Sequence, residues 1–158
     1  MATRAGRITI ELVGLEELSR KLKPRLYEQA VATLMEDITI VGERTAKQRA
    51  PRDTGALKRS IHSQAKPFSA RIFSNLGYAV PVEYGRGRNK RMPPPSALHG
   101  WLRRHGKPAS AAFVVARAIG RRGIKGRFFM RAAEEAIRAK LPSMMDRTVR
   151  AIGKRWKR

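Results

Sequence analysis

A chain of 158 residues with a hydrophobic fraction of 42% is long and apolar enough for one folded core, which excludes wholesale disorder. Its 35 Lys and Arg outnumber its 12 Asp and Glu, and the net charge of +23 calls for an anionic partner such as nucleic acid, an acidic protein or a membrane surface. The absence of cysteine excludes disulfides and thiolate metal sites, and no apolar run approaches the roughly 20 residues that cross a bilayer.

The first fifty residues predict a strand followed by a long helix. Residues 7–12 alternate polar and apolar side chains, the period of a strand, and residues 15–22 are predicted to form one or two helical turns. A longer helix is predicted from Pro24, because proline is tolerated in a first turn, to Ala50, because Pro51 disfavours helix in the residue before it. Its predicted buried face comprises Tyr27, Val31, Leu34, Ile38, Val41 and Thr45.

A tight turn and three strands are predicted after this helix. Asp53 and Thr54 have side chains that bond nearby backbone amides, and Gly55 accepts a positive φ. The predicted strands start at Leu57, cover residues 71–73 and cover residues 78–84. Pro81 has no N–H to donate, so the last of these strands should lie at a sheet edge or carry a bulge.

Basic loops alternate with helices in the second half. Residues 85–95, with four cations, two glycines and three prolines, are predicted to form a loop. Ser96 is predicted to cap a short helix, and residues 111–119 to form an alanine-rich helix that ends at Gly120. A second basic loop is predicted over residues 121–127.

A final helix is predicted from about Phe128, with a kink or restart at Pro142. The apolar stripe predicted along its basic end comprises Met145, Val149, Ile152 and Trp156. The predicted fold is therefore α+β, with a small antiparallel sheet packed on one long helix and additional C-terminal helices. We expect one domain over residues 1–141 and a basic amphipathic extension over 142–158.

Residue types that serve in catalysis and metal binding are present, but their sequence spacing and local motifs do not match those of known catalytic or metal sites. His99 and His105 are six residues apart, which does not place two metal ligands on adjacent turns of one helix face. Asp53, Ser60 and His62 are the residue types of a hydrolase triad, yet no strained Gly-x-Ser-x-Gly turn presents the serine. We expect no enzymatic activity, no cofactor and no bound metal.

Three basic clusters remain, at residues 86–91, 121–127 and 150–158. They lack the interleaved aromatic side chains of a single-strand platform and any helix-turn-helix or zinc-finger signature, which favours contact without sequence reading. The residues predicted to contact DNA or an acidic partner are Arg86, Arg88, Lys90, Arg91, Arg121, Arg122, Lys125, Arg127, Lys154, Arg155, Lys157 and Arg158.

Several short motifs follow one another in a fixed order along the chain. A helix ending in Ala-Pro is followed by Asp-Thr-Gly, Leu and Ser-Ile, then by Tyr-Ala and Glu-Tyr-Gly, and a Leu-Glu-Glu-Leu and an Arg-Phe-Phe-Met-Arg-Ala-Ala flank them. In this order they resemble a family of siphophage tail-component proteins over most of residues 10–140. The resemblance implies that the residues at about 94–122 are a helical insertion of the kind that some members carry. The structural motif residues implied by the resemblance are Pro51, Asp53, Thr54, Gly55, Leu57, Ser60, Tyr78, Glu83 and Gly85.

The resemblance implies a tail completion, neck or minor tail protein without catalytic residues. Such a protein would form a homo-oligomeric ring, expected to be a hexamer, at the head–tail interface of the virion, after assembly in the host cytoplasm. Its implied partners are a tail terminator or tail-tube protein, head-closure or connector proteins, and genomic DNA in the lumen, with no membrane. The resemblance also implies that Glu83 pairs with an arginine such as Arg59.

A second class of function is compatible with the charge: a free DNA- or RNA-binding accessory protein whose basic clusters are its whole function. A third, a nuclease, would need a carboxylate cluster for metal, and the sequence shows none. Neighbouring portal and tail-tube genes would favour the virion protein over the accessory protein.

Overall fold

The computed structural model describes residues 8–11 and 24–156 and confirms the α+β class. The chain forms two compact units, the first made of Met1–Ala79 and Phe128–Arg158 and the second of Val80–Arg127. The helical turns predicted for residues 15–22 lie outside the described residues. Within the described ranges, no helix combines the length and the apolar character needed to cross a membrane.

Helix α1 (Pro24–Arg49) of the first unit begins and ends where the prolines predict. The predicted buried face holds in the first half of the helix, where its four apolar side chains are buried, but Val41 and Thr45 are only half-buried. Gly42 and Ala46 are buried in their place. The buried face rotates because helix α6 (Phe129–Trp156) packs along this part of α1: a Cβ on Gly42 would lie 2.9 Å from Cδ1 of Ile137.

Beneath α1 lies a three-stranded antiparallel sheet in the order β1-β3-β2. Strands β2 (Ile61–Lys66) and β3 (Ser69–Ser74) form a hairpin, and β1 (Ile8–Glu11) pairs with the other edge of β3. Every second residue of β3 is buried, at Ala70, Ile72 and Ser74, so one face of the central strand lies against the core.

The prediction that a strand starts at Leu57 is wrong for the first residues of that strand. Ala56–Ser60 form a short helix, α2, closed by a 3.0 Å bond from the N–H of Arg59 to the carbonyl of Gly55, and the strand begins at Ile61. Leu57 and Ile61 are four residues apart and both are buried. That spacing suits a helical turn as well as a strand, so the pattern did not separate them.

The prediction of a strand over residues 78–84 is also wrong, because Ala79–Tyr84 form a helix, α3. Pro81 falls in the first turn of this helix, where an N–H has no intrahelical partner to lose. Ala79 and Glu83, one helical turn apart, are buried, whereas Tyr78 and Tyr84 are exposed.

After α3, two further helices of the second unit are each preceded by a 3₁₀ turn: Pro95–Leu98 before α4 (His99–Arg104), and Ala109–Ala111 before α5 (Ala112–Arg122). Ser96 lies inside the first 3₁₀ turn and makes no capping bond, so its predicted role is wrong. Helix α5 also runs past Gly120, because that glycine is a packing position rather than a stop. Its Cβ would lie 3.2 Å from the carbonyl oxygen of Lys90.

Helix α6 is uninterrupted at Pro142, so the predicted restart does not occur. The apolar stripe predicted for its basic end is displaced by one position. Of the predicted residues, Ile152 is half-buried, but Met145 and Val149 are 47% and 65% exposed, and Met144 is buried instead. The helix buries the side that continues from Ile137 to Met144, and Met145 lies about 100° away from Met144 around the helix.

Candidate nucleic-acid interface

Two of the three predicted basic clusters meet in the second unit. Strand β4 (Gly85–Arg86) pairs antiparallel with β5 (Ile124–Lys125), so that Gly85 lies opposite Lys125 and Arg86 opposite Ile124. The segments predicted to be two basic loops are therefore joined by a short ladder. Neighbouring strands in such a ladder are roughly 5 Å apart, which brings the two clusters together.

Glycines make this close approach possible. A Cβ on Gly85 would lie 2.4 Å from the carbonyl oxygen of Ile124, and one on Gly123 would lie 2.2 Å from that of Arg86. Both residues also have positive φ, 81° and 72°. On the same stretch, a Cβ on Gly126 would lie 2.5 Å from the carbonyl oxygen of Glu83. We call Gly85, Gly123 and Gly126 the glycine crossing, since a side chain at any of them would push the two segments apart.

Backbone hydrogen bonds hold both ends of the crossing. At one end, the N–H groups of Asn89 and Lys90 donate to the carbonyls of Arg121 and Gly120, at 3.3 and 3.0 Å. At the other end, the N–H of Arg127 donates to the carbonyl of Val82 at 2.9 Å. The two basic segments are thus fixed to each other by main-chain contacts, independently of their charged side chains.

A surface groove of about 660 Å³ opens beside the glycine crossing. We call its charged lining the cationic groove, which consists of Arg86, Arg88, Arg121, Arg122 and Lys125. Gly87, Gly123 and Ile124 complete the lining, and no carboxylate contributes to it. Arg86 is further held by a hydrogen bond from its Nη2 to the carbonyl of Arg91.

The charge around this groove is almost entirely of one sign. Residues 80–127 contain twelve Lys and Arg, and their single acidic residue is Glu83, which is 1% exposed. Nearly half of the net charge of +23 therefore lies in less than a third of the chain. A concave surface with one sign of charge raises the local concentration of anionic ligands.

The other predicted contact residues fall outside the groove. Arg91 lines a neighbouring surface pocket of about 600 Å³ with Met92 and the three prolines after it, and Lys90 and Arg127 are exposed. Lys154 lies on α6 in the first unit. The side chains of Arg155, Lys157 and Arg158 lie outside the description, so a contact role for this third cluster stays a prediction.

The turn after α1 has the predicted conformation. Gly55 has a φ of 77°, the hydroxyl of Thr54 accepts a 3.3 Å bond from the N–H of Ala56, and Nη1 of Arg59 donates to the carbonyl of Thr54 at 3.1 Å. These contacts set the direction in which the chain leaves the long helix. The pairing of Glu83 with Arg59 stays a prediction.

Ser60 contributes to the framework of the sheet. Its hydroxyl donates to the carbonyl of Leu57 at 2.8 Å and shares a 2.8 Å hydrogen bond with the hydroxyl of Ser74, which also accepts the N–H of Leu76. Ser60 therefore ties the end of α2 to the end of β3. Among the described residues, no group of three His, Asp or Glu side chains is placed to hold a metal ion.

Glu43 connects α1 to the sheet. Its carboxylate accepts hydrogen bonds from Lys47 on the same helix and from the hydroxyl of Ser63 on β2. Burial alone would raise the pKa of Glu43, but the hydrogen bonds from Lys47 and Ser63 and the charges of Lys47 and His62 outweigh it, so the pKa lies below its ordinary value.

Comparison with known proteins gives one match. Residues 14–85, a little under half of the chain, match the family described as "Bacteriophage HK97-gp10, putative tail-component". The matched stretch contains α1, the Asp-Thr-Gly turn, the β2–β3 hairpin and α3. It ends at Gly85, so most of the second unit and all of α6 lie outside it. No curated protein and no solved structure matches the chain at a significant level.

Proposed function

Because residues 14–85 match a family of bacteriophage tail components, we propose that this protein is a structural subunit of the siphophage neck, which completes the tail and joins it to the head. The observation that carries the proposal is the family match over residues 14–85, a stretch that contains the Asp-Thr-Gly turn and the Tyr-Ala and Glu-Tyr-Gly motifs. The role is structural, with no catalytic step and no cofactor.

In this proposal, copies of the chain form a closed ring, with six as the expected number. One side of the ring binds a tail terminator or tail-tube protein, and the other binds head-closure or connector proteins. Exposed apolar side chains on the two long helices support such contacts. Ile40 on α1 is 63% exposed and Val149 on α6 is 65% exposed, and in this proposal they belong to the surfaces that contact other proteins.

Genomic DNA passes through the ring during packaging or ejection. A lumen lined by cations attracts phosphates of any sequence, which suits a passage that must not retain particular sequences. The proposed location is the head–tail interface of the virion, reached by assembly in the host cytoplasm.

The first test is removal of the gene from the phage. We expect filled heads and separate or aberrant tails in lysates, and infectious particles should return when the wild-type protein is supplied from a plasmid. A normal titre of intact particles without the protein would contradict the proposed role.

A free nucleic-acid-binding accessory protein is the alternative with the same charge, but the family match does not favour it. The two proposals differ in where the protein is found. Purified wild-type particles should contain it in a fixed number of copies, whereas an accessory protein would remain in the lysate.

A further inference from the structure

We infer that the cationic groove is one binding site for the phosphodiester backbone of duplex DNA, built from both basic clusters of the second unit. The inference extends the proposed function, because it assigns the surface of the neck protein that faces the genome. Its physical basis is the arrangement of the groove, which the position of the clusters in the sequence does not show.

The five cations converge from two segments that are more than thirty residues apart. Arg86 and Arg88 belong to one side of the crossing, and Arg121, Arg122 and Lys125 belong to the other. Since glycines and main-chain hydrogen bonds fix the crossing, the backbone that carries these charges is already in place before a ligand binds. Preorganised charges lose less conformational entropy on binding than charges on a flexible tail.

The lining favours phosphate over a protein partner. Protein interfaces are usually anchored by buried aromatic or apolar side chains, whereas this groove offers Arg, Lys, Gly and a single apolar residue, Ile124. Four of its five cations are arginines, whose planar guanidinium groups form paired hydrogen bonds with phosphate oxygens. Contacts of such side chains with phosphates carry no sequence information, so we expect binding without sequence preference.

The decisive experiment compares two triple variants of the full chain with equal net charge. The groove variant is Arg88→Gln/Arg122→Gln/Lys125→Gln, and the control is Arg103→Gln/Lys107→Gln/Arg117→Gln, which removes three exposed cations of the same unit from outside the groove. Affinity for a labelled 20-base-pair duplex is measured by fluorescence anisotropy over a range of NaCl concentrations, with circular dichroism to verify folding.

For the groove variant, we expect at least a tenfold loss of affinity near 100 mM salt. The slope of log K against log salt should become shallower by about 2.7, since each lost phosphate contact removes about 0.9. The control should change the slope by less than 1. Equal losses in the two variants would overturn the inference, because binding would then depend on net charge alone.

A second variant separates the two segments of the glycine crossing without changing any charged residue. In Gly123→Ala the added Cβ would meet the carbonyl oxygen of Arg86 at 2.2 Å, so the crossing must open. We expect weaker DNA binding with the long helices of the first unit retained by circular dichroism. Wild-type binding by this variant would show that convergence of the clusters is not needed and would overturn the inference.

Competition separates DNA from an acidic protein as the ligand. Unlabelled duplex should displace the labelled DNA at a much lower concentration of phosphate groups than the concentration of carboxylate groups that poly-glutamate requires. Equal competition by poly-glutamate would overturn the phosphate assignment in favour of a carboxylate-bearing partner. These measurements use purified protein, so their failure is distinct from failure of the neck role, which the gene deletion tests.

Discussion

Gly55 and Glu43 show how single residues set the stability of the first unit. Gly55 turns the chain from α1 into α2 at a φ of 77°, and Glu43 links α1 to the sheet through Lys47 and Ser63. The first effect comes from the backbone and does not depend on pH. The second comes from a carboxylate and depends on its ionisation.

Replacing Gly55 with Val should lower the free energy of unfolding by about 1–3 kcal/mol, because a β-branched residue is strained at positive φ. Urea denaturation followed by circular dichroism measures the change. Gly77→Val is the matched control, since a Cβ there has no neighbour within 4 Å and φ is not in the left-handed region. Equal stability of the Gly55 variant and wild type would contradict the strained conformation.

Replacing Glu43 with Gln should destabilise the protein at pH 7 and have little effect in acid. Because the folded pKa is below the ordinary value of 4.5, ionised Glu43 stabilises the fold above that value, and this contribution is lost as the pH falls through the folded pKa. Unfolding curves from pH 7 to pH 3 should therefore converge for the two proteins. A difference that stays constant over this range would show that the carboxylate charge plays no part.

At the scale of elements, the contact of α1 and α6 with the sheet depends on a glycine. A Cβ on Gly42 would lie 2.7 Å from Cδ1 of Ile72 on β3 and 2.9 Å from Cδ1 of Ile137 on α6. A glycine inside a helix costs stability relative to alanine, about 1 kcal/mol. Its presence here is explained by the three elements that meet at this point.

The variant Gly42→Leu should be less stable by about 1–3 kcal/mol, because overpacking forces neighbouring side chains out of their preferred rotamers. Gly153→Leu on α6 is the control, since nothing lies within 4 Å of its Cβ position and leucine favours helix. Thermal melts of both variants test the expectation. If both raised the melting temperature, helix propensity rather than packing would govern position 42.

At the scale of the whole molecule, large exposed apolar residues occur in both units, with Phe113 and Val114 exposed in the second unit and Ile40 and Val149 in the first. The second unit carries the cationic groove, whereas Ile40 and Val149 are exposed on the long helices of the first unit. A surface groove of about 570 Å³ lies between these helices beside Ile40, where Arg147 forms a 2.9 Å salt bridge with Asp37. In the proposed function, this helical surface contacts other protein subunits and the cationic groove contacts DNA.

The double variant Ile40→Asp/Val149→Asp should reduce ring formation, because two buried charges in a contact between copies would be costly. Light scattering after size-exclusion chromatography should show a shift from oligomer to monomer. Gln48→Asp/Ala139→Asp adds the same charges at other exposed positions of the two helices and should leave the oligomer intact. An unchanged mass for the first variant would mean that copies meet through another surface.

The features that were predictable from sequence are those governed by local chemistry. Pro24 and Pro51 bound α1, and Gly55 has the positive φ that its turn requires. The strand predicted over residues 71–73 lies within β3, whereas the strand predicted from Leu57 begins only at Ile61. Strand β1 was predictable from alternation of residues 7–12. In each case a backbone restriction or a short-range period acts within a few residues of the position concerned.

The features that only the tertiary structure decided are those in which a distant segment selects between two local options. Residues 78–84 suit a strand or a helix, and the stripe on α6 begins at Met144 or Met145 depending on which side packs against α1. The cationic groove depends on the same kind of choice. Its glycines are visible in the sequence, but only pairing of β4 with β5 shows that they allow two basic segments to meet, because a contact across nearly forty residues leaves no local period.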